Sequence, residues 1–536
     1  MMESHLQDNL LLVLSLLFTI TMLMMVSSKL KISSPIFLVI AGLVISLVPG
    51  IPGITLDPDL VFLIFLPPLL YAAAWNTVWK DFWRMKRPIS LLAFGLVIFT
   101  SAAVALVSHA IIPDFPLAFG FLLGGIISPP DAVAATSVLH GLNVPRRVVT
   151  ILEGESLVND ASSLIVFRFA LAAILFGNFD IWVAAKSFFL VVTMGILTGL
   201  VIAGILYVIH RFLPTTPAID SAITLISPYI MYIAAEHFHY SGVLSVVAGG
   251  LFLSFRSHKI FSYESRLNVS GLWETLVFLL NGFVFILIGL QLPHIIKQLG
   301  NYSIGEAITY GIIISLLTIV IRIIWVFPGA YLPRILFKRI RQKEARPGWR
   351  AVFLTAWSGM RGVVSLASAL AIPLTVPQGY EFRNRNLILF ITFVVILFTL
   401  VLQGLSLKPL IRYLKIETDD EESLKMQSLS LRIQLAEAAL SFIDVNYAGH
   451  IENNEVFRRV RERYERMIEV AKKKLDADEA ENDGASFVPQ YRQMLVELVN
   501  VRRKELNRFR NGTEYNEELI REREWELDLE EARLRG

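Results

Sequence analysis

Charged and kinked positions inside long apolar stretches are where this 536-residue sequence could do chemistry. One stretch reads Ile151-Leu152-Glu153-Gly154-Glu155-Ser156-Leu157-Val158-Asn159-Asp160-Ala161-Ser162-Ser163. At about 100° per residue on a helix, Glu153, Ser156 and Asp160 share one face, and Glu155 and Asn159 share an adjacent one. An ionisable side chain in a bilayer costs about 2.5–3.5 kcal/mol even on a lenient scale, so such a stripe turns toward protein or water. Arg146 and Arg147 mark the interface, which puts Asp160 roughly four turns deeper. Upstream, Ser128-Pro129-Pro130-Asp131 sets two prolines and an acid in mid-stretch. A proline lacks the N–H and its ring disrupts the preceding turn, so the helix should break there and leave backbone groups in need of partners. Downstream, Trp357-Ser358-Gly359-Met360-Arg361-Gly362 combines two glycines with a guanidinium at similar depth.

A carboxylate at mid-depth is neutralised by a proton or by a small cation, because desolvation disfavours a bare charge. The oxygen donors at hand (carboxylate, hydroxyl, amide and loosened carbonyls) suit a hard monovalent ion. Competition of proton and cation for one carboxylate couples release of one to binding of the other. Exposed alternately to each side, such a site gives antiport. No Gly-rich nucleotide loop is present to drive primary transport, and no nucleophile–base constellation suggests an enzyme. Among the remaining charges, Arg361 is expected to neutralise Glu155 or Glu153. Arg168 and Arg322 are expected to pair with Glu274 or to tilt toward an interface. His237 and His239, beside Glu236, have a metal-like spacing but read as a surface cluster, since two histidines alone do not make a site.

Positioning these groups requires a membrane scaffold. Hydrophobic residues make up 54% of the chain and charged ones 18%, which excludes an ordinary soluble domain, and the absence of cysteine excludes a disulfide framework. Thirteen stretches are long or apolar enough to span: 9–27, 34–50, 59–75, 88–112, 117–140, 147–176, 181–212, 218–238, 241–256, 268–292, 304–333, 350–373 and 385–413. The first is no signal peptide, because Glu3 and Asp8 stand where a basic region would be. Alternate connections hold 19 basic residues, among them Lys29, Lys31, Arg146, Arg147 and the run from Arg334 to Arg350, against Lys186, Lys297, Arg383 and Arg385 in the others. The basic side is therefore expected to be cytoplasmic, with the N-terminus outside. The two interrupted stretches are the fifth and the twelfth, which fits inverted six-helix repeats with a midplane site.

The reading divides the chain into a membrane portion, 1–415, and a helical cytoplasmic tail, 416–536, with 20 basic and 28 acidic residues. Leu424, Leu431, Leu435 and Ala439 recur there at helical spacing, while Asn482-Asp483-Gly484 and Asn511-Gly512 read as breakers. The acidic balance argues against nucleic acid. The tail reads as a solvated bundle or dimerisation element, with a regulator-binding domain as the alternative.

The runs Ser128-Pro129-Pro130-Asp131-Ala132-Val133, Gly154-Glu155-Ser156-Leu157-Val158-Asn159-Asp160 and Trp357-Ser358-Gly359-Met360-Arg361-Gly362 resemble the monovalent cation:proton antiporter-1 family, bacterial sodium/proton exchanger type. The resemblance covers the membrane portion. It implies an all-α polytopic homodimer in a plasma membrane, with two broken helices crossing in a six-helix core that moves like an elevator. It implies Asp160 as the carboxylate that takes a sodium ion or a proton, with Asn159 its neighbour and Ser156 and Asp131 completing the site. It implies a structural Glu155–Arg361 pair, and no cofactor. Asn rather than Asp at 159 resembles the electroneutral one-for-one branch. The chain departs from many relatives at Pro129-Pro130, where they carry a Thr before the Asp. Potassium in place of sodium is the nearest alternative cargo, with lithium a further candidate. A cation channel or a transporter-like sensor is the more distant alternative.

Overall fold

The computed structural model describes residues 2–30, 32–48, 63–139, 142, 144–177, 181–297, 299, 302–343, 346–375, 382, 384–416, 419–476, 487–510 and 517–535. Lys31, residues 59–62, Arg383 and both tail breakers (Asn482–Gly484 and Asn511-Gly512) lie outside them. The described chain is all-α and forms two compact units, Met1–Thr418 and Asp419–Gly536.

The first unit holds α1 (Met2–Leu30), α2 (Ser34–Ser46), α3 (Leu66–Asn76), α4 (Lys86–Ile111), α5 (Leu117–Ile127), α6 (Ala132–Leu139), α7 (Arg146–Phe176) and α8 (Ile181–Phe212). It continues with α9 (Pro217–His237), α10 (Gly242–Ile260), α11 (Tyr263–Leu290), α12 (Ile304–Leu336), α13 (Trp349–Trp357), α14 (Val363–Leu370) and α15 (Arg385–Leu414). Helix occupies part of each of the thirteen apolar stretches. Nine of them, among the described residues, are long and apolar enough to cross a membrane. The other four hold α2, α3, α10 and the pair α13–α14, which are short, interrupted or end in charge. Large apolar side chains such as Phe18, Leu106, Val201, Ile226 and Ile324 are exposed on the long helices, the surface a bilayer covers.

Without a hydrophobic drive between lipid-bathed helices, close packing relies on small residues. Gly42 of α2 meets Gly289 of α11, where a Cβ on Gly42 would lie 3.3 Å from Gly289 Cα. Two buried cores result. One gathers Leu122, Ile126, Phe390 and Ile396 around α5 and α15; the other gathers Tyr71, Met231, Val246 and Trp273 around α3, α9, α10 and α11. Helix α7 belongs to both: Leu152 and Phe167 pack into the first, Leu157 and Ala161 into the second. Its 31 residues span ~46 Å, more than the ~30 Å of a hydrocarbon core, so both ends reach the interfaces. It ends at Gly177, whose φ of 74° is the left-handed stop that glycine supplies without strain.

The second unit contains α16 (Asp419–Asn446), α17 (Glu455–Asp476), α18 (Phe487–Arg510) and α19 (Glu517–Arg535). In α16 the apolar spacing read from the sequence faces inward only in part: Ala439 is half-buried, and the side chain of Leu424 lies outside the described residues. Leu431 and Leu435 are exposed, and Ile433 and Ala436 are the buried pair. Arg503 of α18 bonds Asp528 and Glu531 of α19 at 2.6 Å each, and these two carboxylates hold its guanidinium above its ordinary pKa.

Candidate functional site

Both expected interruptions are present. The helical ladder stops after Ile127 and restarts at Ala132, and it stops again after Trp357 and restarts at Val363. The two breaks touch. Asp131 N donates to Met360 O at 2.7 Å, and Gly362 lies so close to Asp131 that any Cβ there would land on its carboxylate. Only a residue without a side chain permits that approach.

Backbone groups freed by a break need partners at this depth, and neighbouring side chains supply several of them. Asn159 Nδ2 donates to Pro130 O (3.2 Å), Ser156 Oγ accepts from Ala132 N (3.3 Å) and Thr399 Oγ1 accepts from Arg361 N (3.1 Å). Asp131 Oδ1 accepts from Val133 N at 2.8 Å, capping the N-terminus of α6. Arg361 Nη1 donates to Ser128 O at the carbonyl end of α5. The charges are thus matched to the half-helix ends: a carboxylate at an N–H end and a guanidinium at a carbonyl end.

A cavity of about 550 Å³ opens beside the crossing. Its walls include Pro129, Pro130, Asp131, Ser156, Asp160 and Gly362, and it extends along α7 to Glu153 and along α3 to Asn76, toward the basic end of both helices. Asp160 is 6% exposed, and its carboxylate makes no hydrogen bond or ion pair to a described residue. Of the described acids that line the cavity, Asp131 caps α6, whereas the carboxylates of Asp160 at the crossing and Glu153 farther along α7 make no hydrogen bond or ion pair to a described residue. Of the four expected site residues, Asp131, Ser156 and Asp160 line the cavity; Asn159 is fully buried outside its lining and braces the first break.

The expected Glu155–Arg361 pair is not the one formed. Glu155 takes a two-pronged bond from Arg322 of α12, Nη1 to Oε1 at 2.5 Å and Nη2 to Oε2 at 2.7 Å, with both side chains about 1% exposed. Arg361 is spent on the Ser128 carbonyl instead. Gly359 makes room for the pair, because a Cβ there would come within 2.6 Å of Arg322 Nε. Arg168 likewise does not reach Glu274, which is exposed; it bonds Glu236 of α9 at 2.6 Å. Glu236 also accepts from Gly242 N (3.1 Å), and His237 and His239 join no group of three metal-ligating side chains among the described residues. The Arg322 partner had one visible signal: Arg322 is the single charge between Ile308 and Ala330, so it had to find a buried acid. Asn281 and Ser365 also line the cavity, and nothing in their spacing marked them.

Residues 13–413 match the family described as "Sodium/hydrogen exchanger, transmembrane". The chain is 35% identical over 385 residues to the sodium, potassium, lithium and rubidium/H(+) antiporter of Bacillus pumilus, an alignment covering 70% of this chain and 57% of that one. It is 31% identical over 450 residues to the Na(+)/H(+) antiporter ApNhaP of Aphanothece halophytica, covering 82% of each. Among solved structures, the sodium proton antiporter MjNhaP1 of Methanocaldococcus jannaschii superposes with a TM-score of 0.61 at 19% identity, covering 77% of this chain and all of that one.

Proposed function

Because this chain belongs to the sodium/hydrogen exchanger family, a family of membrane transporters, we propose that it exchanges sodium for protons at Asp160 by alternating access. The observation that carries the proposal is the uncommitted Asp160 carboxylate, facing a cavity at the crossing of two broken helices. A proton or a cation neutralises it, and each displaces the other. Ser156 and Asp131 share the same wall and complete the cradle, while Asn159 holds the first break in shape. With Asp131 engaged at the start of α6, one carboxylate exchanges one proton for one monovalent cation, which moves no net charge.

Alternating access requires a carrying element that moves against a scaffold. Helix α7 stands between the two packing cores, which supports an elevator-like shift of the broken-helix core and an inverted-repeat origin for the two breaks. The cavity extends toward the basic ends of α3 and α7, the side assigned to the cytoplasm by the loop charges, with the N-terminus outside and the tail inside. The plasma membrane, a homodimeric assembly and a regulator-binding role for the tail complete the reading.

Potassium is the second reading, favoured by the Bacillus pumilus relative, a sodium, potassium, lithium and rubidium/H(+) antiporter; this chain spans 57% of that protein's length. Proteoliposomes carrying an imposed pH gradient separate the two. Sodium flux coupled to protons, unaffected by a clamped voltage, is the expected result. Potassium as the favoured ion would replace sodium, voltage-dependent exchange would overturn the one-for-one ratio, and flux without proton coupling would make the protein a channel.

A further inference from the structure

An apolar seam on α16 is left uncovered by the described residues of the chain. Arg432, Glu437 and Asp444 are the only charged residues from Met426 to Asn446, in a tail with 20 basic and 28 acidic residues. Two of the three serve the hairpin with α17: Glu437 pairs with Lys472 at 3.0 Å and Asp444 with Arg461 at 2.8 Å. That side of α16 also presents Leu429, Ile433, Ala436, Leu440 and Ile443, all buried or half-buried. The opposite face carries Ser428, Leu431, Leu435, Ala438, Phe442 and Val445, every one exposed, the four large side chains at 58–77%. Their steps of 3, 4, 3, 4 and 3 residues are those of a coiled-coil seam, the face a helix offers to another helix.

The order of sizes along the seam identifies its occupant. Run antiparallel about a point between Ala436 and Glu437, the seam sets Ser428 against Val445, Leu431 against Phe442 and Leu435 against Ala438 of a second copy. Small meets large in two of these three layers, and the layers repeat beyond the axis, as a two-fold interface requires. A parallel pair would stack Ala438 on Ala438 and Phe442 on Phe442, leaving a void beside a bulge. No charged residue stands at a seam position. Arg432 flanks the seam about 14 Å along the axis from its own copy, where salt screens the repulsion. Met494, Leu498 and Val501 of α18 are exposed at the same spacing, but Glu505 and Arg508 take the next two positions, so that stretch is too short to cover the α16 seam. We propose that α16 of one protomer pairs antiparallel with α16 of a second copy of this chain, through the seam from Ser428 to Val445. The pairing rests on the homodimeric reading above, to which it gives a surface in the tail, and is independent of the transported ion.

The chain has no cysteine, so single thiols placed in the full-length protein report the pairing by oxidative cross-linking in proteoliposomes at low protein-to-lipid ratio. Leu435→Cys and Ala438→Cys each lie within about 5 Å, along the axis, of their own copies and should link. Ser428→Cys and Val445→Cys lie about 25 Å from theirs and should not link singly, whereas the double variant Ser428→Cys/Val445→Cys should. Adding Leu435→Glu, at an exposed position that the packing on α17 does not use, should lower linking through Ala438→Cys about tenfold, because it buries a charge in the seam. Mass photometry of the same preparations reads the oligomer separately from the seam. Links at all four single positions mark a parallel pair and overturn the proposal. A dimer without links at Leu435→Cys and Ala438→Cys overturns the tail pairing alone, and a monomer overturns both it and the homodimeric reading.

Discussion

Replacing Arg322 by Met tests the electrostatics that hold the crossing together. The change removes both prongs of the bond to Glu155, 2.5 and 2.7 Å long, and leaves a carboxylate about 1% exposed with no cation bonded to it. Stranding one member of a buried pair costs about 3–5 kcal/mol, whereas replacing both members with apolar groups of similar volume is often nearly neutral. Arg322→Met should therefore melt far below the parent in detergent, and Glu155→Leu/Arg322→Met should recover most of the loss. Arg361→Met gives the contrast. It removes the donor to Ser128 O and leaves the Glu155 pair intact, so the Glu155→Leu change should not rescue it. If Arg322→Met melts with the parent, or if Glu155→Leu rescues Arg361→Met but not Arg322→Met, the assignment of partners is wrong.

Three further outcomes are expected. Since protons and sodium compete for one carboxylate, the half-saturating sodium concentration should rise by up to about tenfold per unit fall in pH on the acid side; a constant value would remove the shared site. Gly362→Ala puts a methyl on the Asp131 carboxylate and should abolish exchange while costing about 1–3 kcal/mol, and parental flux in proteoliposomes would contradict the close approach. Arg168→Ala breaks a 2.6 Å pair whose side chains are 45% and 28% exposed, so stability should change by no more than about 1 kcal/mol; a larger drop in melting would show that solvent does not screen it.

The helices and both breaks were legible because they depend on local chemistry. Apolar length needs no partner to be read, and Pro129-Pro130 and Gly359-x-x-Gly362 interrupt a ladder wherever they stand. Asp160 was legible for a similar reason, as an acid at a depth where solvation is missing. Pairing was not legible. Glu155 is expected from the sequence to meet Arg361, and its bond to Arg322 instead depends on where the fold brings the guanidinium of α12, a tertiary fact invisible to spacing along either helix. Asn159 reads as the neighbour of Asp160 in the site, and nothing in its spacing shows that its amide donor meets the carbonyl that Pro130 leaves open. In the tail, Leu431 and Leu435 satisfied a helical period, yet the packing of α16 buries Ile433 and Ala436. Period identifies a helix, but the neighbours select its face.

Sodium efflux driven by an imposed proton gradient, compared between the parent and Asp160→Asn in proteoliposomes of matched protein content, tests the exchange site most directly. The substitution keeps the size of the side chain and removes its ability to hold either a proton or a cation as counter-charge. The parent should show coupled flux, and Asp160→Asn should show none while remaining folded and inserted. Parental exchange by Asp160→Asn would contradict the assignment of the site.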